Sequence, residues 1–212
     1  MQFMTLKIAL LVLVIGMSES QGKRELHSLQ WSVCNTNPSS PISVTKIAVS
    51  PMPVEIPGTF NLTIDGALSR QISHTSLSLH IKRKTFLLDI PIPCISNVGS
   101  CTYDDLCTVI SQMISEDWGG IMGNIGTQIN TMLRNAGVPD HCPLDATALH
   151  VNQFTFSLPE VPSLFSTFAT GDYHARLSAT EKATGQEVLC IDLDLSVKKH
   201  EKPCSGLSCI FG

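Results

Sequence analysis

The sequence predicts an all-β fold of antiparallel strands, and three observations carry that prediction. Apolar and polar residues alternate over most of the chain, prolines and other turn residues interrupt the alternation at short spacing, and helical periodicity is confined to one stretch. In chain order, Ile42–Ser50 is the first long strand candidate, and prolines at 51, 53 and 57 mark strand ends or edges beyond it. Phe60, Leu62 and Ile64 then fall on one face and Asn61, Thr63 and Asp65 on the other. Leu77, Leu79 and Ile81 alternate with Ser76, Ser78 and His80. Phe86–Ile92 is a further candidate, bounded by Pro91 and Pro93. Val151–Leu158 and Asp172–Ala179 follow. The last strand alternates Leu189, Ile191, Leu193, Leu195 and Val197 with Cys190, Asp192, Asp194 and Ser196. One apolar and one wet face per strand is the signature of antiparallel sheets.

The helical stretch runs from Tyr103. Leu106, Val109, Ile110 and Met113 share a helical face up to Ile114, with Thr102 as the cap and Asp104 and Asp105 in the first turn. Ile121, Ile125, Ile129, Met132 and Leu133 predict a second helix that stops at Gly137 and Pro139. Glycines at 119, 120, 123 and 126 weaken its start.

Composition narrows the class. The 212 residues contain 14 Lys+Arg against 18 Asp+Glu, so the formal net charge is -4 and there is no basic surplus for nucleic acid. Charged residues are only 15% and the mean hydropathy is +0.18, which excludes a charge-rich disordered chain. At the amino end Lys7 precedes the apolar run Ile8–Gly16 and the small or polar Met17-Ser18-Glu19-Ser20. That is the layout of a secretory signal peptide over residues 1–20, too short for a membrane span of about 20 apolar residues. Residues 21–199 form one domain, and 200–212 a separate extension.

Cysteine usage fits export. Cysteines at 34, 94, 101, 107, 142, 190, 204 and 209 all lie beyond the leader, and an even number in an exported chain reads as four disulfides. The count alone allows roughly a hundred pairings. Metal binding is not expected, because no close CxxC or HxxxH pair exists. Asn61-Leu62-Thr63 is a glycosylation sequon, which would place Asn61 on a wet face.

No catalytic constellation emerges. GxSxG, a glycine-rich phosphate loop and HExxH are all missing, Asp104-Asp105 fits a helix start, and Asp192 with Asp194 fits the wet face of a strand. The chain reads as a non-enzyme without a cofactor. Lys82-Arg83-Lys84 reads as a solvated hairpin turn rather than an anion site, since polybasic lipid sites carry about 4–8 charges. His74, His80, His150 and His174 read as surface residues.

A set of ordered fragments resembles the ganglioside GM2 activator family within the MD-2-related lipid-recognition (ML) superfamily. They are Trp31-Ser32-Val33-Cys34, Ile56-Pro57-Gly58 leading to Asn61-Leu62-Thr63, Ile92-Pro93-Cys94, Gly99-Ser100-Cys101-Thr102-Tyr103 followed by Cys107, His141-Cys142-Pro143, Thr170-Gly171-Asp172-Tyr173 and Cys190-Ile191. The resemblance spans about Leu29 to Val197. It implies the pairs Cys34–Cys190, Cys94–Cys101 and Cys107–Cys142, and leaves Cys204 to pair with Cys209. The family's fourth bridge is missing, with Asp140 at one of its positions.

The fold so implied is a β-cup: two antiparallel sheets splayed around a central apolar cavity that accepts lipid chains. Periodicity alone does not separate a cavity from a packed core. On the resemblance, Phe60, Leu62, Ile64, Leu77, Leu79, Ile191 and Leu193 would line the cavity. Its rim would be Phe86, Leu87, Leu158, Val161, Leu164, Phe165 and Phe168, although the proline-punctuated Leu158–Phe168 segment could instead fold back onto the sheets. The implied role is a secreted or lysosomal carrier that touches membranes transiently, extracts glycolipid or phospholipid, and presents it to a soluble glycosidase such as a β-hexosaminidase. An extracellular carrier of sterol, fatty acid or another small apolar ligand is the alternative. A further one is a precursor releasing a C-terminal peptide at Lys198-Lys199.

Overall fold

The computed structural model describes residues 26–201 except Thr36 and Asp140; the expected leader and the expected Cys204–Cys209 pair lie outside the described residues. The strands are β1 (Gln30–Val33), β2 (Ile42–Ser50), β3 (Val54–Ile56), β4 (Gly58–Leu68), β5 (Thr75–Lys84), β6 (Ile90–Pro91), β7 (Thr102–Tyr103), β8 (Thr147–Leu158), β9 (Gly171–Glu181) and β10 (Gln186–Lys199). Two helices, α1 (Leu106–Glu116) and α2 (Met122–Asn135), stand between β7 and β8. The larger sheet has the order β1-β10-β9-β5-β6, with β3 also on β10 and β7 also on β5; the smaller is β2-β4-β8. Fold class is therefore mostly β in two sheets, as the alternation predicts.

The sheets are joined along one side and wedged apart on the other. β3 runs into β4, and β2 approaches β10, so the sheets meet along that edge. Across the opening, α1 packs on β5, α2 packs on β8, and the helices pack on each other. The wedge has a dry centre, where Val109, Met113 and Trp118 are buried with Leu77 and Tyr103 against them, and the Tyr103 and Trp118 rings stack at 5.2 Å. On the smaller sheet, buried Met132 of α2 meets Val151 and Phe156 of β8, and Phe60 stacks on Phe156 at 5.3 Å.

Local chemistry sets the helix ends. Asp105, not Thr102, caps α1: its Oδ1 accepts from the Cys107 N–H at 3.0 Å. Thr102 and Tyr103 are committed instead to β7, where Thr102 pairs with Ser78 and their hydroxyls lie 3.1 Å apart. α2 ends at Gly137 with φ +76, where the Gly137 N–H donates to Arg134 and the Val138 N–H to Leu133, a Schellman closure.

Two further expectations change. Within Phe86–Ile92 only Ile90–Pro91 pairs with β5, while Phe86, Leu87 and Leu88 stand in solvent as a loop. The proline-bounded β3 lies parallel to β10, beyond the stretch of β10 that β1 covers. That pairing includes Lys198 and Lys199, and Lys198 Nζ lies 3.1 Å from Glu55, so the dibasic site is part of a sheet edge.

Among the described residues three disulfides secure the frame: Cys34–Cys190 between the end of β1 and β10, Cys94–Cys101 within the β6–β7 connection, and Cys107–Cys142 between α1 and the chain after α2. The first closes a separation of 156 residues. Loop-closure entropy for so long a loop contributes about 5 kcal/mol. At the far end of the larger sheet, Arg70 grips buried Glu181 through two hydrogen bonds of 3.0 Å, and Thr184 adds a third.

Replacing Cys34 and Cys190 together by Ser should therefore lower the thermal midpoint more than any other single bridge deletion, measured by calorimetry without reductant. The Glu181 carboxyl is held below its ordinary 4.5, first by the Arg70 hydrogen bond. A depressed folded value contributes stability above pH 4.5 that is lost as pH falls through the folded value. Glu181→Gln should thus narrow the wild-type advantage in urea midpoint as pH drops through that window; a gap independent of pH would refute the assignment.

An apolar cavity as the candidate functional site

The inward faces of the two sheets are apolar by parity, but the space between them is incompletely filled. At the end of the cup where β5, β9 and β10 meet the β8–β9 connection lies a cavity of about 290 Å³. Ile81, Tyr173, Ala175, Leu195 and Val197 form its sheet wall. Ile92, Ile95 and Val98 come from the loop stapled by Cys94–Cys101, Ile121 comes from the turn before α2, and Val161, Phe165 and Phe168 close it from the β8–β9 connection. The apolar surface of that partly open space stays uncovered by protein, at a cost in free energy. Hydrocarbon from a ligand would recover that cost at roughly 0.8 kcal/mol per CH2.

The polar groups around this cavity are few and committed. The Tyr173 hydroxyl donates to the Phe168 carbonyl at 2.6 Å, and burial pushes the phenol up from its ordinary 10.0 while the Arg83 charge pulls it back. Arg83 has the parity of Leu77, Leu79 and Ile81, so it is the cation that β5 turns toward the cup. Its Nη1 donates to the Thr167 carbonyl at 3.1 Å, and its Nε packs where Gly171 has no side chain. Arg83 thereby ties the end of β5 to the closing turn, and it is not part of the solvated hairpin that the Lys82-Arg83-Lys84 run suggests. Lys82 and Lys84 do face outward, with Lys84 2.9 Å from Asp194. Beside them on that outer face, Asp192 is held below its ordinary 3.8, chiefly by the Arg176 hydrogen bond.

The closing segment is a short 3-10 turn, Ser163–Phe168. Of the residues expected at the rim, Phe165 is buried and points inward, where its ring lies against Gly119. Val161 and Phe168 are half-buried in the lining, and Leu158 ends β8 opposite Gly58. Leu164 stays 60% exposed, and Phe86 and Leu87 in the loop after β5 are 86% and 84% exposed. The turn thus divides its side chains, one aromatic filling the opening and one leucine facing water.

The strand residues expected to line the cavity lie deeper in the cup. Phe60 and Leu62 pack toward Met132 on α2, and Leu77 packs against the α1 cluster, because the helices occupy the space a lipid was expected to fill there; Ile64 packs toward Met132 as well but also lines a smaller apolar space of about 150 Å³. Leu79 is half-buried opposite Leu177, Ile191 is buried, and Leu193 pairs with Trp31. The residues that do line the cavity continue the same two stripes, Ile81 after Leu79 and Leu195 and Val197 after Leu193. Strand parity alone could have named these, whereas Ile121 and Val98 carry no local signal. Asn61 sits on the outer face of β4, half-buried, its Oδ1 accepting from Thr155 at 2.7 Å.

Gly119 has φ +64, and a Cβ there would stand 2.7 Å from Phe165 Cε2. Gly119→Ala should therefore displace the Phe165 ring, cost about 1–3 kcal/mol in stability, and speed uptake of an apolar fluorophore. Unchanged uptake at reduced stability would show that the ring does not gate the opening.

Comparison with known proteins follows from this geometry. A Niemann-Pick type C2 protein from Japanese carpenter ant covers 80% of this chain and 99% of its own, with a TM-score of 0.39 and 9% identity. The ganglioside GM2 activator of Macaca fascicularis is 28% identical over 176 residues, covering 82% of this chain and 86% of its own. That of Mus musculus is 23% identical over 175 residues, covering 82% and 84%. The ML domain family matches residues 28–197, and the chain belongs to that family.

Proposed function

We propose that this lipid-binding protein is an exported, non-enzymatic carrier that lifts a glycolipid or phospholipid out of a membrane and presents it to a soluble glycosidase of the β-hexosaminidase kind. The observation that supports the reading most directly is an apolar cavity in a protein that also exposes large apolar side chains, in the loop after β5 and in the β8–β9 connection whose Phe165 lines the cavity. Phe86, Leu87 and Leu88 in the first and Leu164 in the second are each 60% or more exposed. Such a patch is unfavourable in water and is stabilised by entering the acyl region of a bilayer, where each Phe or Leu gains roughly 1.5–3 kcal/mol.

Mechanism follows from the closure. At the bilayer surface the two loops insert, the Ser163–Phe168 turn swings with Phe165, and an acyl chain replaces that ring against Ile81, Ala175 and Leu195. The headgroup remains outside, where the Arg83 guanidinium gives it a polar neighbour. The relatives named for the GM2 ganglioside support a sphingolipid cargo and a hydrolase partner. The bridges support an oxidising destination, extracellular or lysosomal. Glycan on Asn61 would project from the outer face of the smaller sheet, away from the mouth.

Release of a C-terminal peptide is disfavoured by the same structure, because cleavage at Lys198-Lys199 requires peeling β10 from β3. Lipid-vesicle incubation followed by native mass spectrometry tests the carrier. One bound lipid per chain and transfer between vesicles are expected; neither bound lipid nor transfer would reject it. Phe86→Asp combined with Leu87→Asp should cut transfer at least tenfold while changing stability by no more than about 0.5 kcal/mol per site. Hexosaminidase turnover of membrane-bound ganglioside, with and without the protein, separates a hydrolase activator from a carrier of other apolar ligands.

A further inference from the structure

A second apolar space lies at the opposite end of the cup and shares no lining residue with the first. It measures about 400 Å³, within the usual range of small-molecule sites of roughly 300–1,000 Å³. A smaller space of about 150 Å³ adjoins it, having Leu106, Leu133, Val138, Pro139, Leu144 and Leu149 in common. On β10 the rear space touches Leu189 and the front cavity Leu195, a separation of roughly 20 Å at about 3.3 Å per residue.

This rear space is not ordinary core. α1 carries two apolar stripes: Val109 and Met113 are buried in the wedge, while Leu106, Ile110 and Ile114 face the rear space. Leu106, Ile110, Leu133, Leu144, Leu149 and Leu189 are large apolar residues that converge there, yet none is fully buried. Leu106 and Ile110 pack with one side on the α1 cluster, and Leu133 and Leu149 on the α2 cluster, while the other side of each faces a void that a close-packed interior would fill. The wall is also built to hold its shape, since Cys107–Cys142 clamps α1 to Cys142, itself a lining residue beside Leu144. The polar side chains in the lining are Ser111, Asn130 and His141; the Ser111 hydroxyl donates to the Thr108 carbonyl at 2.8 Å, which leaves the Asn130 amide and the His141 imidazole to donate to a ligand.

We infer that the rear space is a second ligand site, separate from the front cavity, which takes a single-chain amphiphile with a carboxylate head. The chain lies among Leu106, Leu133, Leu144 and Leu149, and the carboxylate meets the donors of Asn130 and His141. The inference rests on the lipid-binding reading of the chain but not on its membrane extraction or hydrolase partner.

Native mass spectrometry with a 16-carbon saturated fatty acid tests it. The wild-type protein should take two molecules per chain. Val138→Trp, which fills the rear space from a loop position, should take one, as should Ala175→Trp, which fills the front. Val138→Trp should keep vesicle-to-vesicle lipid transfer within about twofold of wild type. If Val138→Trp loses its cooperative melting transition, Leu144→Phe replaces it in the same comparison. A wild-type stoichiometry of one that survives in Val138→Trp overturns the rear site and leaves the front cavity standing. A single molecule that survives in Ala175→Trp and is lost in Val138→Trp sustains the rear site and overturns the front one. Absence of binding to the wild type rejects both.

Discussion

The structure depends on a wedge. Each sheet has an apolar face that must leave water, and two such faces normally close on one another about 10 Å apart. Here α1 and α2 stand between them on one side, gripping β5 through Tyr103, Val109 and Trp118 and gripping β8 through Met132 and Phe156. The sheets meet along the β2, β3 and β10 edge and diverge from it. Burial is satisfied at the helices and at the shared edge, and what remains between is apolar surface without protein to cover it. The disulfides serve the same geometry, Cys34–Cys190 at the shared edge and Cys107–Cys142 at the wedge.

A cup made this way has two ends with different closures. One is covered by a turn that carries its own aromatic plug and is tied to β5 by the Arg83 to Thr167 hydrogen bond, so it is closed by a few separable contacts. The other is walled by helices and a disulfide and has no exposed aromatic at its edge. The difference matters physically. A single hydrogen bond to a carbonyl and the packing of one ring are contacts that a bilayer surface can outcompete, whereas a covalent clamp is not.

Polar residues are arranged so that the apolar interior is left undisturbed. His174 lies between Asp192 and Asp194 on the outer face of the larger sheet, with Arg176 and Lys84 completing the row. Both carboxyls are held below their ordinary values: Asp192 chiefly by Arg176, and Asp194 by Lys84 and His174 against an opposing effect of burial. Solvent-facing pairs of this kind contribute modestly to stability. Their value to the fold is that they keep the outward parity of β5, β9 and β10 polar, which fixes the register of each strand.

Alternation by itself determined the long strands β2, β4, β5, β8, β9 and β10 and the face each one buries, because a period of two is written directly in residues such as Leu193, Leu195 and Val197; it did not mark the short β1, β3 and β7. Helix spacing and Gly137 likewise marked α1, α2 and the point where α2 stops. Local pattern could not say how far along a stripe packing ends and cavity begins. Phe60, Leu62 and Leu77 share parity with the lining residues, yet they meet helices, because where α1 and α2 stand is a tertiary fact. Nor could it separate Phe165, which turns inward against Gly119, from its neighbour Leu164, which faces water. Arg83 looked like part of a basic turn until the sheet placed it on the inner face. Sequence specified the faces through short-range sterics and hydrophobicity; only the assembled wedge decided which of those faces go unfilled.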